Sequence, residues 1–165
     1  MDKPKVSRQS NLSKLTHYDA SGEARMVDVS AKRATERKAK ASAFVELSKA
    51  VLRELPRNPK GNPLEIARVA GIQAAKRTAE LIPLCHPLAL THVDVELKVT
   101  AKGVRIMASA TTTAQTGVEM EAMTAAAIAA LTVYDMTKGM DKGIVIREVR
   151  LEEKSGGKSG KFKRK

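Results

Sequence analysis

A carboxylate and an ammonium group stand three residues apart in Asp135-Met-Thr-Lys138, within an apolar, alanine-rich segment that runs from Val118 to about Met140. The density of Ala, Leu and Met predicts a buried helix, and this spacing places both side chains on one helical face. Burial shifts such pKa values, which is how folds obtain acid/base groups that work near neutral pH. The pair is a candidate for proton transfer. The alternative is a helix-end ion pair in which Lys138 faces the negative end of the helix dipole.

Two more carboxylates open the same helix, in Thr116-Gly-Val-Glu-Met-Glu121. Thr116 and Glu119 have capping-box spacing, which gives Glu119 a structural explanation. Glu121 has none, because it lies in the first turn and faces the apolar region. Glu121 and Asp135 share a face of the helix but are separated by about 21 Å along its axis. One small substrate cannot touch both within one chain, so either their roles are separate or two chains complete one site at an interface.

A stiff loop, Ile82-Pro-Leu-Cys-His-Pro87, carries a thiol and an imidazole. Its prolines fix φ, and the residue before a proline is held extended, so His86 has a defined pose. Adjacent side chains on an extended backbone point apart, which argues against a Cys85–His86 nucleophile pair. The absence of a second cysteine argues against zinc, and we expect no metal site. We interpret His86 as a donor to a ligand or, alternatively, as a hydrogen-bonded loop histidine.

Two segments combine lysine with glycine. Lys60-Gly61 lies in the proline-rich loop from Pro56 to Pro63, and Lys154-Ser-Gly-Gly-Lys158-Ser-Gly160 lies near the C-terminus. Glycines let backbone N–H groups approach an anion, and lysines supply charge. The second segment is not a Walker A motif, because its spacing differs and no strand-to-helix turn follows. It predicts a phosphate-gripping segment, with a solvated basic tail as the alternative.

The composition describes a globular chain with an unusual core. The 165 residues suit one domain. Because there are only two Phe, two Tyr and no Trp, small aliphatic side chains must fill the core. No apolar run is long enough to span a membrane, and the N-terminus lacks the apolar region of a signal peptide. The single Cys85 excludes an internal disulfide and suits a reducing compartment, so we expect a cytoplasmic protein.

The net charge of +12 is concentrated at the two ends of the chain, with +6 on residues 154–165 and +3 on residues 1–14. The aromatic side chains that stack on bases in many RNA and single-strand binders are nearly absent. A small polyanion such as a triphosphate fits at least as well as a nucleic acid. A basic nucleic-acid-binding module is the alternative, and nanomolar affinity with a steep salt dependence would favour it. A non-catalytic assembly protein is a third interpretation, which leaves Asp135 unexplained.

The pattern of elements predicts an α+β fold, a ferredoxin-like sandwich with a mostly antiparallel sheet and helices packed on one face. Strands are expected at residues 26–30, 35–47, 91–100, 104–108 and 144–151, and helices at residues 48–55, 64–81 and 118–140. We divide the chain into a flexible leader (1–14), a single catalytic domain (15–153) and a basic Gly/Ser/Lys tail that partly binds substrate (154–165).

Six segments together closely resemble the MoaC family, the cyclic pyranopterin monophosphate synthases of molybdenum-cofactor biosynthesis. The resemblance runs from about Leu15 to Phe162, in order and with near-family spacing. One departure is Thr137, where family members often carry Cys, and we expect this position to be inessential to the chemistry. The segments are Met26-Val-Asp-Val-Ser30, Gly71-Ile-Gln-Ala-Ala-Lys-Arg-Thr78, Leu81-Ile-Pro-Leu-Cys-His-Pro-Leu88, Thr116-Gly-Val-Glu-Met-Glu-Ala122, Ala130-Leu-Thr-Val-Tyr-Asp-Met136 and Lys154-Ser-Gly-Gly-Lys-Ser-Gly160.

The resemblance implies a reaction that the residues alone do not show. Its substrate is 3′,8-cyclo-7,8-dihydroguanosine triphosphate, which is rearranged to cyclic pyranopterin monophosphate with release of pyrophosphate. By motif, Asp135 and Lys138 are then the catalytic acid/base pair, and three lysines grip the triphosphate, while six further residues line the substrate site. The lysines are Lys60, Lys154 and Lys158, and the lining residues are Leu84, Cys85, His86, Glu119, Met120 and Glu121.

The resemblance also implies a homohexamer, built as a trimer of dimers with sites at subunit interfaces. Such an assembly is consistent with the separation of Glu121 from Asp135. The expected partners are the small-molecule triphosphate and further copies of this chain, without nucleic acid or membrane. No cofactor is expected, and whether magnesium accompanies the triphosphate is left open.

Overall fold

The computed structural model describes His17 and residues 21–165, so the predicted leader lies outside the described residues. Within these described residues, five strands and four α-helices follow one another, with a 3₁₀ turn at Leu55–Arg57. In chain order they are β1 (Thr35–Glu46), α1 (Lys49–Glu54), α2 (Pro63–Lys76), α3 (Thr78–Leu81), β2 (Leu90–Thr100), β3 (Gly103–Ala114), α4 (Glu119–Thr137), β4 (Val145–Ser155) and β5 (Phe162–Lys163).

The strands form one antiparallel sheet in the order β2-β3-β1-β4-β5. Strand β1 lies between β3 and β4, and its side chains alternate between the two faces. Ala39, Ala41, Ala43 and Val45 are buried on the helix side, while Lys38 and Lys40 are exposed on the other. A turn at Ala101-Lys102 joins β2 to β3. The order and the one-sided helix layer confirm the predicted α+β fold.

Small side chains bring the two long helices close together. Helix α2 packs against α4 and β2, and α4 lies against β1, β3 and β4. At the crossing, a Cβ added to Gly71 would lie 2.9 Å from the Ala125 carbonyl oxygen, so the helix backbones approach nearly to contact. The buried alanines Ala122, Ala126 and Ala129 line the same helix. The close approach of the two helix backbones therefore fills space that large aromatic side chains fill in other cores.

Several predicted boundaries change. Residues 26–30 do not form a strand; the Val27 carbonyl instead accepts a hydrogen bond from His86. The expected helix 64–81 is divided at Arg77 into α2 and α3. Strand β4 continues to Ser155, past the expected start of the basic tail, and β5 pairs with it. Among the described residues, no helix is both long and apolar enough to cross a membrane.

Candidate functional site

A cavity of about 420 Å³ lies where the loop between α3 and β2 meets the start of α4. Both predicted lining segments, Leu84-Cys85-His86 and Glu119-Met120-Glu121, contribute to its wall. His17, Lys32 and residues 27 and 29 complete one side of it. The structure therefore brings together six of the predicted substrate-binding residues, from two segments that are more than thirty positions apart in the sequence.

His86 is held by the backbone rather than left free. Its Nε2 lies 2.8 Å from the Val27 carbonyl oxygen. A carbonyl oxygen can only accept, so Nε2 carries the proton and donates. In the neutral ring, Nδ1 is then an acceptor. His86 can donate to a ligand through Nδ1 only when the imidazole is protonated, which refines the sequence-based interpretation.

Glu121 is the buried carboxylate of this cavity, with only 4% of the residue exposed. Burial raises its pKa, a backbone N–H hydrogen bond opposes the rise, and the neighbouring Glu119 adds to it. Burial also raises the pKa of the Cys85 thiol, and the charge of Glu121 raises it further. Cys85 therefore remains a thiol at neutral pH. Glu121 is the group in this cavity whose environment favours holding a proton.

The predicted capping box at the start of α4 is wrong. The N-cap residue is Val118, and no side chain caps the helix. The Glu119 carboxylate instead lies over Gly117, where a Cβ would overlap it, and its Oε1 lies 3.9 Å from Lys154 Nζ. Glu119 therefore connects α4 to the basic segment on β4 rather than closing its own helix.

A basic cavity of about 710 Å³ adjoins the first, with Lys32, Thr116, Gly117 and Glu119 lining both. Residues 155–159 form its rim, including Lys158. The Lys154 ammonium lies near this rim and donates to Ser159 Oγ. The segment from Lys154 to Gly160 thus forms the end of β4 and a loop beside the cavity of Glu121. Its role in gripping phosphate stays a prediction.

The glycines in this loop are needed for its close approach to β1. Gly156 and Gly157 have φ values of 93° and 75°, in the region that favours glycine. A Cβ on Gly156 would overlap the Glu36 carbonyl oxygen, and one on Gly157 would overlap the Arg37 guanidinium. The loop is therefore pressed against the backbone and side chain at the start of β1.

Lys32 and Arg37 were missed by the sequence analysis, although both line the basic cavity. Arg37 donates to the carbonyl oxygens of Ala114 and Gln115, at 3.4 and 3.3 Å. A signal for Arg37 was present, because it has the same alternation phase as the buried Ala39. An arginine on the buried face of a strand indicates a functional position. Lys32 lies in the loop before β1, where no alternation of buried and exposed positions marks it.

The remaining predicted residues meet at the other end of α4. Lys138 Nζ lies 2.7 Å from Asp135 Oδ1, and Lys60 Nζ donates to the Asp135 carbonyl oxygen at 3.2 Å. Lys60 is therefore not beside Lys154 and Lys158 within one chain. We call Lys60, Asp135 and Lys138 the charged cluster. It is separated from Glu121 by about 21 Å of helix.

The expected burial of Asp135 and Lys138 is wrong. The side chains of Asp135 and Lys138 are 59% and 51% exposed, because the last turn of α4 directs Met136 and Thr137 inward instead. The hydrogen bond and charge of Lys138 lower the pKa of Asp135, and Lys60 lowers it further. Asp135 in turn raises the pKa of Lys138, with a smaller contribution from Tyr134. In one chain, both groups therefore stay charged at neutral pH.

No group of three or more His, Cys, Asp or Glu side chains capable of holding a metal ion occurs among residues 21–165 and His17. Nucleophilic chemistry at Cys85 is disfavoured by its raised pKa. What the arrangement offers is proton transfer by carboxyl and ammonium groups and binding of an anion by lysine and backbone N–H groups.

The fold and these cavities define an α+β protein with a glycine-rich basic loop beside a buried carboxyl group. The chain belongs to the MoaC family, whose sequence model matches residues 26–157. A relative from Parvibaculum lavamentivorans is 53% identical over 92% of this chain and 98% of its own length. A relative from Streptomyces griseus is 56% identical over 96% and 92%, and one from Streptomyces coelicolor is 53% identical over 99% and 97%. All three are named cyclic pyranopterin monophosphate synthase.

Proposed function

We propose that this chain converts 3′,8-cyclo-7,8-dihydroguanosine triphosphate to cyclic pyranopterin monophosphate and pyrophosphate, as a phosphorus–oxygen lyase. The observation that carries this proposal is the contact between two cavities of different character. One holds a buried carboxyl group, an imidazole and apolar side chains. The other is lined by lysines and by a loop in which glycines are required. A substrate with a ring at one end and a triphosphate at the other matches the pair.

The triphosphate is assigned to the basic cavity. Lys158, Lys32 and Arg37 line this cavity and supply positive charge. Lys154 adds charge beside it through its hydrogen bond to Ser159, and the loop at Gly156 and Gly157 would offer its backbone to phosphate oxygens. Such groups stabilise the charge that develops on a pyrophosphate leaving group. The guanine-derived ring is assigned to the cavity of Glu121, where Leu84, Cys85, His86 and Met120 form the wall.

The charged cluster is assigned the principal proton transfers, with Asp135 and Lys138 as the acid/base pair. Because it lies at the far end of α4, it must reach the substrate of another copy of the chain. Apolar side chains on the outer surface of the helix layer support such an association, since Ile66, Val69 and Leu131 are 48%, 51% and 53% exposed. A second chain would also bury the cluster and move both pKa values toward neutrality.

The assembly that follows is a homo-oligomer with interface sites, and the hexamer built as a trimer of dimers is the proposed form. We assign no resident cofactor; magnesium, if it takes part, would accompany the triphosphate. We place the chain in the cytoplasm and assign no nucleic-acid partner. The lone, unreactive thiol of Cys85 is compatible with a reducing compartment.

The direct test is release of pyrophosphate from the cyclised GTP intermediate by purified protein. Stoichiometric formation of pyrophosphate and of the cyclic phosphate product is expected, and the matched Asp135→Asn protein should form neither. Cyclised intermediate that remains intact with the wild-type protein, under conditions in which an authentic synthase consumes it, would refute the proposal.

Subunit mixing tests the shared site. Asp135→Asn chains and Glu121→Gln chains, each severely impaired alone, are dissociated, mixed and reassembled. Random pairing makes about half of the dimers mixed, each with one intact site, so recovery of about a quarter of wild-type activity is the expected ceiling. Failure to recover activity in chains shown to have exchanged would mean that each site is built within one chain.

A further inference from the structure

We propose that Asn58 is a positioning residue that holds Lys60 against the C-terminal end of α4, so that Lys60, Asp135 and Lys138 act as one unit. The proposal rests on the proposed function for its kinetic part. Its structural part, that Asn58 fixes the place of the Lys60 charge, is independent of the reaction.

Asn58 is buried in a loop that is otherwise exposed. Only 8% of the residue is accessible, whereas Pro59, Lys60, Gly61 and Asn62 are all exposed. An amide side chain is rarely buried to this extent unless its hydrogen bonds are satisfied. The donor and the acceptor group of the Asn58 side chain both form hydrogen bonds, and their partners lie in different parts of the fold.

The donor end of Asn58 binds α4, and the acceptor end binds its own loop. Nδ2 donates to the Met136 carbonyl oxygen at 2.8 Å, one of the last carbonyl groups of the helix, which lack partners within it. Oδ1 accepts from the Lys60 backbone N–H at 2.9 Å. The Asn58 carbonyl oxygen also accepts from the Gly61 backbone N–H at 3.1 Å. One side chain therefore joins the backbone of Lys60 to the end of α4.

This bridge explains how Lys60, at the end of a long side chain, stays beside Asp135, which is 75 positions away in the sequence. From the place that Asn58 sets, Lys60 Nζ reaches the Asp135 carbonyl oxygen, and its charge contributes to the lowered pKa of Asp135. The next asparagine in the loop has a different task. Asn62 Oδ1 accepts from the backbone N–H groups of Leu64 and Glu65 and so caps α2.

The two asparagines form a matched pair of variants. Asn58→Ala removes the bond to α4, and Asn62→Ala removes a helix cap in the same loop; each is expected to lower stability by a similar amount. If Asn58 positions Lys60, Asn58→Ala lowers kcat by about tenfold with KM within about twofold, since loss of one such bond is worth about that factor. Asn62→Ala should retain the wild-type kcat. Equal losses of kcat in the two variants would overturn the proposal.

A double-variant cycle tests whether Asn58 acts through Lys60. In the Lys60→Ala background, Asn58→Ala should cause no further loss of kcat, because the group that it positions is gone. Additive losses would mean that Asn58 acts by another route. Asn58→Asp keeps the volume and the acceptor for the Lys60 N–H while removing the donor to Met136. It should be impaired like Asn58→Ala, and wild-type kcat in this variant would also contradict the proposal.

A titration separates the structural part from the reaction. The charged or titratable groups that act on Asp135 are Lys138 and Lys60, with Tyr134 beside them. In ligand-free protein, Asn58→Ala should raise the Asp135 pKa measured by NMR, as Lys60→Ala does, while Asn62→Ala should not. A shift in Lys60→Ala without one in Asn58→Ala would refute the positioning role. Inactive wild-type protein that shows the expected shifts would refute the proposed function alone.

Discussion

The two ends of α4 carry the same kind of residue in opposite environments. At its start, Glu121 is buried, and burial raises its pKa. At its end, Asp135 is exposed and hydrogen-bonded to Lys138, which lowers its pKa. Within one chain, the start of the helix is therefore ready to hold a proton, while its end is an ion pair that keeps its charges at neutral pH. Position on the helix, and not residue type, therefore sets the direction in which each pKa moves.

The two ends of α4 therefore lack different things for chemistry. The N-terminal end already has a cavity and an adjoining loop of residues 155–159 that carries Lys158. At the C-terminal end, the side chains of Asp135 and Lys138 are more than half exposed to solvent. This end gains a low-dielectric environment only when another surface covers it, which is the role proposed for a second chain.

The largest expected effect concerns the charged cluster. Asp135→Asn and Lys138→Ala should each lower turnover by at least about 10²-fold, as expected for loss of an acid/base group. Melting temperatures should barely change, because exposed ion pairs contribute little to stability. Lys98→Ala, which removes the exposed Lys98–Glu96 pair at 3.6 Å, is the matched control. Turnover near the wild-type rate in both variants would reduce the cluster to a helix-end ion pair.

A smaller effect is expected at the loop of residues 155–159, to which the triphosphate is assigned. Lys158→Ala should raise the KM for the cyclised triphosphate by about tenfold at low salt and by less as salt is added, because exposed charges are screened. The value of kcat should change little, since the proton-transferring groups are elsewhere. Lys165→Ala, which removes an equal charge outside the loop, controls for net charge. An unchanged KM at low salt would assign Lys158 to solubility alone.

The raised pKa of Glu121 should make the stability of the protein depend on pH. Because folding raises the Glu121 pKa, the folded state binds more protons, and wild-type stability falls as pH rises from the ordinary value of 4.5 through the raised one. Glutamine does not titrate, so Glu121→Gln removes this loss of stability. The loss is about 1.4 kcal/mol for each unit by which folding raises the pKa. The variant should therefore gain melting temperature over the wild type at pH 8 but not at pH 4. A difference that is constant with pH would show that Glu121 is not perturbed.

The smallest effect is expected inside the last turn of α4. Thr137 is fully buried and donates from Oγ1 to the Val133 carbonyl oxygen at 2.6 Å, facing away from Asp135 and Lys138. Thr137→Cys should therefore leave turnover within about twofold of wild type, because weak and strong donors to a helix carbonyl differ little. A large loss would mean that the inward face of this turn takes part in the chemistry.

Local patterns identified the four long strands of the sheet and the two segments that line the cavity of Glu121, but they also predicted a strand at residues 26–30 that does not form. The alternation in β1 and β2 identified buried faces, and the isolated Glu121 in an apolar turn was correctly expected to be buried. The exposure of Asp135 could not be inferred, because 100° periodicity gives a face but not how far the core extends along the helix. The position of Lys60 depends on a contact with a residue 75 positions away, which no local pattern contains.

The scarcity of aromatic side chains gives this fold a built-in optical reporter. With no Trp and only two Tyr in the sequence, ultraviolet emission comes almost entirely from tyrosine. Tyr134 is half-buried against the core and adjacent to Asp135. In a Tyr18→Phe chain, emission would originate from Tyr134 alone, so quenching or anisotropy at that single fluorophore would follow coverage of the C-terminal end of α4 in real time, without any attached label.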